Sequence, residues 1–255
     1  MNTARFRFHL NWKITLFTAV LFPFLVYLGV WQLGRAEQKQ TILQEWQQQQ
    51  AKPPVEFSPT LNSNDQFRRV WLNGTINQDK YWLIENKTMY GRLGAHVVVA
   101  VNVNSGATDK KNTTIVPVNL GWVELPPLRE VFPDITLPTG QIRITGMLAA
   151  ATHSPLINEA ENTQLRWPHK MLEIDLTQMQ QQFGQPLYPL VLQVEPDSAA
   201  AFDVDWQAVN MTSSQHKGYA VQWFTMAGVL FILWLLACSN IATLFKRANS
   251  DQAEN

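Results

Sequence analysis

The chain has 255 residues, with 20 Lys and Arg balanced by 20 Asp and Glu, so its formal net charge is zero. That balance leaves no basic footprint for nucleic acid. A single cysteine, Cys238, excludes an intrachain disulfide framework and any paired-thiolate redox or copper-delivery site.

An uncharged run of 20 residues, Ile14 to Leu33, follows a basic segment carrying Arg5, Arg7 and Lys13. At about 1.5 Å rise per residue, about 20 apolar residues cross a hydrocarbon core, so residues 14–33 are predicted to be a transmembrane helix. Pro23 lies inside it, which membrane helices tolerate. The run is longer than a signal-peptide core and no small-residue cleavage site follows, which predicts an uncleaved anchor. Ala36 to Ala51, with Ile42, Leu43 and Trp46, reads as a helix leaving the bilayer and stopped by Pro53-Pro54.

Strands are predicted next. Val70, Leu72 and Ile76 alternate with polar positions at the period of a half-buried strand. Tyr81 to Glu85, His96 to Val103, Thr114 to Val118, Gln141 to Met147 and Pro189 to Val194 are Val- and Ile-rich and bounded by turn residues. Gly91 to Gly94 reads as a turn. The pattern Val70-x-Leu72-x-Gly74-x-Ile76 returns as Ile142-x-Ile144-x-Gly146-x-Leu148. One helix is predicted in this middle region, Met171 to Phe183, with Leu172, Leu176, Met179 and Phe183 on one stripe.

A second uncharged run, of 28 residues from Gly218 to Phe245, is followed by Lys246 and Arg247. Lys and Arg beside the outer ends of both runs place both termini on the cytoplasmic side. The predicted organisation is a cytoplasmic N-terminus (1–13), transmembrane helix 1 (14–33), a periplasmic β-rich domain (34–217), a second transmembrane region (218–245) and a cytoplasmic C-terminus (246–255). The fold class is an α+β membrane protein: two transmembrane helices flanking an exported β-rich domain with one packed helix. An exported ligand sensor signalling through its anchors is not expected, since the segments outside the two runs are short for a cytoplasmic output domain.

No nucleophile elbow, zinc-protease helix, Walker loop or dinucleotide fingerprint is present, so nothing argues for an enzyme. His96, His153 and His169 are scattered without ligand spacing and read as ordinary histidines. His216 stands immediately before the second run, and on a helix it shares a stripe with Tyr219, Trp223, Met226 and Leu230. A neutral imidazole there suits a haem iron flanked by aromatic side chains. Plain decoration of a membrane interface is the simpler account of the same residues. Arg35, one turn past Trp31, suits either a propionate partner or snorkelling to the headgroups.

Four segments together resemble the Surfeit-locus-one family of cytochrome c oxidase assembly factors. Gly29-Val30-Trp31-Gln32-Leu33-Gly34-Arg35 is similar to its Gly-x-Trp-Gln-x-x-Arg, and Phe67 to Gly74 is similar to its first strand. Val118-Asn119-Leu120-Gly121-Trp122-Val123 resembles its Val-Asn-Arg-Gly-Trp-Val. His216-Lys217-Gly218-Tyr219-Ala220-Val221-Gln222-Trp223-Phe224 resembles its closing His-x-x-Tyr-Ala-x-x-Trp-Phe. Leu120 departs from the family's Arg, and His96 replaces an aromatic.

The resemblance implies an inner-membrane protein that aids maturation of oxidase subunit I, with haem A synthase as a further partner and membrane lipid around its spans. It implies transient binding of haem a, with His216 as iron ligand and Tyr219, Trp223, Trp31 and Arg35 around the cofactor. A protein-only scaffold that never touches haem is the alternative.

Overall fold

The computed structural model describes residues 8–61, 65–104, 113–128, 131–151 and 166–240. Arg5, Arg7, His153, Lys246, Arg247 and the last five residues of the second apolar run lie outside the described residues. The chain divides into a helix unit, Met1–Gln44 with Ala208–Asn255, and a sheet unit, Glu45–Gln207.

In chain order the sheet unit holds β1 (Val55–Glu56), β2 (Arg69–Met89), β3 (Arg92–Asn104), β4 (Thr113–Glu124), β5 (Gln141–Ala149), β6 (His169–Met171), α2 (Leu176–Phe183) and β7 (Val191–Val194). Strand β2 joins two segments that the sequence presents as separate strands, and register shifts between Ile76 and Tyr81 and between Ile84 and Lys87 mark its bulges. Such bulges bend a strand and raise its twist, which lets one strand serve two stretches of sheet.

Strands β2 and β3 meet through Tyr90-Gly91, both at positive φ (52° and 74°). A type I′ two-residue hairpin turn requires that backbone. The turn therefore sits one residue earlier than predicted, and Arg92 to Gly94 belong to β3.

Pairing runs β2–β3–β4–β7–β5 and then back from β5 to β2, which closes a five-stranded barrel. The β4–β7 contact is parallel and the other four are antiparallel. Strands β1 and β6 add in parallel to β2. The repeated heptapeptides turn out to pair with each other, Val70 opposite Gly146 and Gly74 opposite Ile142.

The barrel is filled by alternate residues of its strands, among them Leu72, Val97, Val99, Val101, Val118, Leu120, Ile144 and Leu192. Fully burying one such side chain contributes about 1.5–3 kcal/mol. Val98 and Ala100 point the other way, into a second cluster with Trp82, Ile84, Met171, Met179 and Phe183. Helix α2 thus covers the outer face of β2 and β3. Burial on both faces explains why this stretch of β3 reads as nearly continuous apolar sequence rather than as alternation.

Helix α2 begins at Leu176, five residues later than predicted. Met171 is taken by β6, opposite Ile84, and Asp175 is the N-cap, accepting from the backbone N–H of Thr177 (2.8 Å) and Gln178 (3.2 Å). A carboxylate in that role fixes where the helix starts. Met179 and Phe183 of the predicted stripe are buried as expected.

Helix α1 (Trp12–Gln50) runs uninterrupted for 39 residues, joining the predicted span at 14–33 to the helix predicted after it. Gly34 lies between them, and an interior glycine costs only about 1 kcal/mol relative to alanine. Helix α3 (Ser213–Cys238) starts five residues before the predicted run because Thr212 and Gln215 form a capping box. Both helices are long and apolar enough to cross a membrane, yet only 17% and 11% of their most apolar windows are buried. A helix in a water-soluble core would be mostly buried. Leu16, Phe17, Val20, Phe24, Ile232 and Leu233 instead face outward, which fits a membrane protein.

Candidate functional site

Within the helix unit, buried and half-buried positions on α1 recur as Thr15, Thr18, Phe22, Leu25, Gly29, Gln32 and Ala36, at alternating spacings of three and four. On α3 they recur as His216, Ala220, Trp223, Ala227, Leu230 and Trp234. A 3-4 repeat is the seam of two helices packed at a shallow angle. The contacts descend along one helix as they climb the other, so the pair is antiparallel. Trp234 Nε1 donates to Thr15 Oγ1 (3.2 Å), Phe22 meets Phe231 (5.8 Å between ring centroids), and His216 Nδ1 lies 2.7 Å from Gln32 Oε1. A Cβ on Gly29 would fall 2.6 Å from the Phe224 ring, so this glycine permits the close approach. Gly228 on α3 has open space around it and plays no such part.

His216 is 7% exposed and sits in the first turn of α3. Its Nε2 is buried with no hydrogen-bond partner, and so is Trp223 Nε1. The predicted stripe 216-219-223-226-230 shares three members with the seam but differs at two. Ala220 and Ala227 face α1, whereas Tyr219 and Met226 are 45% and 43% exposed on the adjoining flank. Small residues admit a neighbouring helix where Tyr and Met would hold it off. The result is a polar pair in the seam, bordered by an apolar flank open to the surroundings.

Trp31 is 48% exposed, one position before Gln32. The Arg35 guanidinium stacks over the Trp31 ring at 6.0 Å, and its Nη1 donates to Gln38 Oε1 (3.1 Å). These two residues pair with each other on the exposed side of α1. From sequence Gln32 appears only inside the Gly29–Arg35 motif, with no role assigned to it. The signal that identifies it is the heptad spacing Leu25-Gly29-Gln32-Ala36, which places one amide in an otherwise apolar seam.

His96 and His169 have structural surroundings. His169 is buried in β6 beside Trp167. The His96 ring stands edge-on to Trp206 (5.3 Å), with its Nδ1 3.4 Å from Asn119 Nδ2. Burial, reinforced by Lys87, holds its pKa down at about 4. The folded-state value lies below the ordinary 6.5, so protonation favours the unfolded chain. The stabilisation is whole above pH 6.5 and is lost as pH falls toward 4, on the order of 3 kcal/mol. Denaturant titrations of the full-length protein at pH 7 and pH 4.5 should show that loss, and His96→Phe should remove most of it.

Arg69 is also structural. It makes a two-pronged ion pair with Glu195 (2.6 and 2.9 Å) and donates through Nη1 to the carbonyls of Gln50 and Lys52 at the end of α1. A guanidinium at a helix C-terminus satisfies its orphan carbonyls. Leu120, where the resembled family has Arg, is completely buried in the barrel core.

A cleft of about 290 Å³ in the sheet unit is lined by Glu85, Leu93, Leu125, Pro126, Val131 and Lys170. Its charges pair with each other, Lys170 Nζ to Glu85 Oε1 at 3.0 Å. Among the described residues no group of three His, Cys, Asp or Glu side chains is placed to hold a metal ion.

The sequence model of the SURF1 (Surfeit-locus-one) family matches residues 19–228. That range covers Gln32, His216 and the whole barrel. A SURF1-like protein of Dictyostelium discoideum is 27% identical over 114 residues, 40% of this chain and 40% of that relative. The match spans about two fifths of the relative's length.

Proposed function

This chain belongs to the SURF1 family, whose members are generally assembly factors for cytochrome c oxidase, and on that premise we propose that it serves the haem-copper oxidase at the stage where subunit I receives haem a. In this reading the two apolar helices anchor it in the inner membrane with both termini cytoplasmic. The barrel lies on the periplasmic side and meets subunit I, and the helices are open to lipid and to haem A synthase.

The observation that carries the haem reading is the orphaned nitrogen of His216. A buried imidazole whose Nδ1 is engaged and whose Nε2 has no partner has the donor chemistry that a haem iron would take. Haem a would supply an iron centre that accepts one imidazole nitrogen. Tyr219, Trp223 and Trp31 would flank the macrocycle, and Arg35 would neutralise a propionate. The flank of Tyr219 and Met226 opens toward lipid, the phase from which an apolar cofactor arrives. Because Nε2 is sealed in the seam, binding requires His216 or the helix pair to shift. A site that must open to load also opens to release, as a chaperone requires.

The same sealed nitrogen favours a second reading, a protein-only scaffold in which the Gln32–His216 bond merely fixes the register of the helices.

Oxidase service is tested by a reduced-minus-oxidised spectrum of membranes lacking this gene. The haem a signal should fall severalfold with other cytochromes intact. An unchanged spectrum with normal oxidase turnover overturns the proposal.

A further inference from the structure

Gln32 has no part in the ligand set proposed above, yet its Oε1 is 2.7 Å from the nitrogen of His216 that the iron would not use. A neutral imidazole carries one N–H and one lone pair, and the partner of one nitrogen decides which is which. Two arrangements form this bond. With the amide oxygen toward Nδ1, that nitrogen holds the proton and donates it, and Nε2 keeps its lone pair. With the amide turned, its NH2 donates to Nδ1 and the proton moves to Nε2. There it would be a buried N–H facing no acceptor, because Nε2 has no partner. Orphaned buried N–H groups are rare in folded proteins. The first arrangement leaves only a bare lone pair, which is the state a metal needs.

We infer that Gln32 is a positioning residue that fixes the His216 tautomer, holding the proton on Nδ1 so that Nε2 is presented as an electron pair. Metal-binding histidines generally donate their second N–H to a carbonyl or carboxylate, and in a seam between apolar helices the side-chain amide of Gln32 provides that carbonyl. Backbone carbonyls of α1 are committed to its own helix, so the acceptor has to come from a side chain. The purpose of the device rests on the haem-ligand reading. The tautomer does not, because it belongs to the protein before any haem arrives.

The test uses the full-length protein in lipid nanodiscs with 15N-labelled histidine. The His216 ring resonances are assigned by their disappearance in His216→Ala. Wild type should show the Nδ1–H form. Gln32→Leu, which suits an apolar seam and preserves the helix, should populate the Nε2–H form. Gln32→Glu, which keeps an acceptor oxygen, should restore Nδ1–H. In parallel, haem a retained after purification should fall on the order of 10–100-fold in Gln32→Leu and recover in Gln32→Glu. An Nε2–H form in wild type, or an unchanged tautomer in Gln32→Leu, overturns the inference. If the tautomer shifts as expected but no form of the protein retains haem, the positioning role stands and the ligand reading falls.

Discussion

Full-length protein carrying His216→Ala is expected to accumulate in membranes at the wild-type level and to purify without haem a. The two halves of that expectation have separate causes. Alanine is the best helix former, and the contacts below the first turn of α3 do not involve His216. Phe224 still packs at Gly29, Phe22 against Phe231, and Trp234 still donates to Thr15. Losing the bond to Gln32 costs about 1 kcal/mol, with a further 1–3 kcal/mol if the amide finds no new partner. Lipid-facing apolar helices with an intact seam tolerate that.

Haem retention has no such reserve, because the flanking aromatic residues offer only undirected contact and Arg35 is already stacked on Trp31. Removing the one nitrogen proposed for the iron should lower retained haem to background, a loss of at least about tenfold, read as pyridine haemochrome absorbance per mole of purified protein. Equal haem in mutant and wild type removes His216 from the site. Normal oxidase maturation in the mutant strain, together with absence of haem from the wild-type protein, leaves the scaffold.

What the sequence discloses and what it hides divide along the range of the interactions. Both apolar helices are visible because composition alone decides them, and so are the strands whose Val and Ile residues line the barrel. The joining of Val70–Ile76 to Tyr81–Glu85 is hidden, because Asn77, Asp79 and Lys80 carry polar side chains that a local pattern scores as a break. In the fold they occupy a bulge between two pairings. Strands β1 and β6 are two and three residues long and exist only because β2 offers an edge on each side.

Barrel closure through the parallel β4–β7 pairing depends on partners about 70 residues apart (Val118 opposite Leu192), a relation no periodicity encodes. In the helix unit the aromatic stripe drew attention to Tyr219 and Met226, but Ala220 and Ala227 decide which face meets α1. The candidate histidine was legible from its position before the second apolar run. Its partner, Gln32, stands in a motif visible in the sequence, but only the packing shows that its amide meets His216.

Gly121→Ala is expected to be among the most destabilising single substitutions in the sheet unit, on the order of 3–5 kcal/mol. Gly121 has φ 114°, a backbone that residues with a Cβ rarely adopt. A Cβ there would also lie 2.6 Å from the carbonyl oxygen of Asp203, which is backbone and cannot swing aside. That same oxygen accepts from Trp122 N at 2.6 Å, and Phe202 N donates to Leu120 O at 2.7 Å. Pushing the Asp203 segment away therefore breaks both of these bonds, and it disturbs the Trp122 ring, whose Nε1 is held by Lys87 O (2.8 Å).

The proper control is Gly140→Ala. It has φ 81° and nothing within 4 Å of the new Cβ, so it carries the backbone cost alone, about 1–2 kcal/mol. Thermal unfolding of the two full-length variants should separate them, with Gly121→Ala lowering Tm by roughly 10 °C and Gly140→Ala by a few degrees at most. Equal shifts would mean that the approach of the Asp203 segment contributes nothing. A large difference identifies Asn119-Leu120-Gly121-Trp122, one of the segments that carries the family resemblance, as the clasp between the barrel and the strand-like segment at 202–204, and so as a demand of folding rather than of haem.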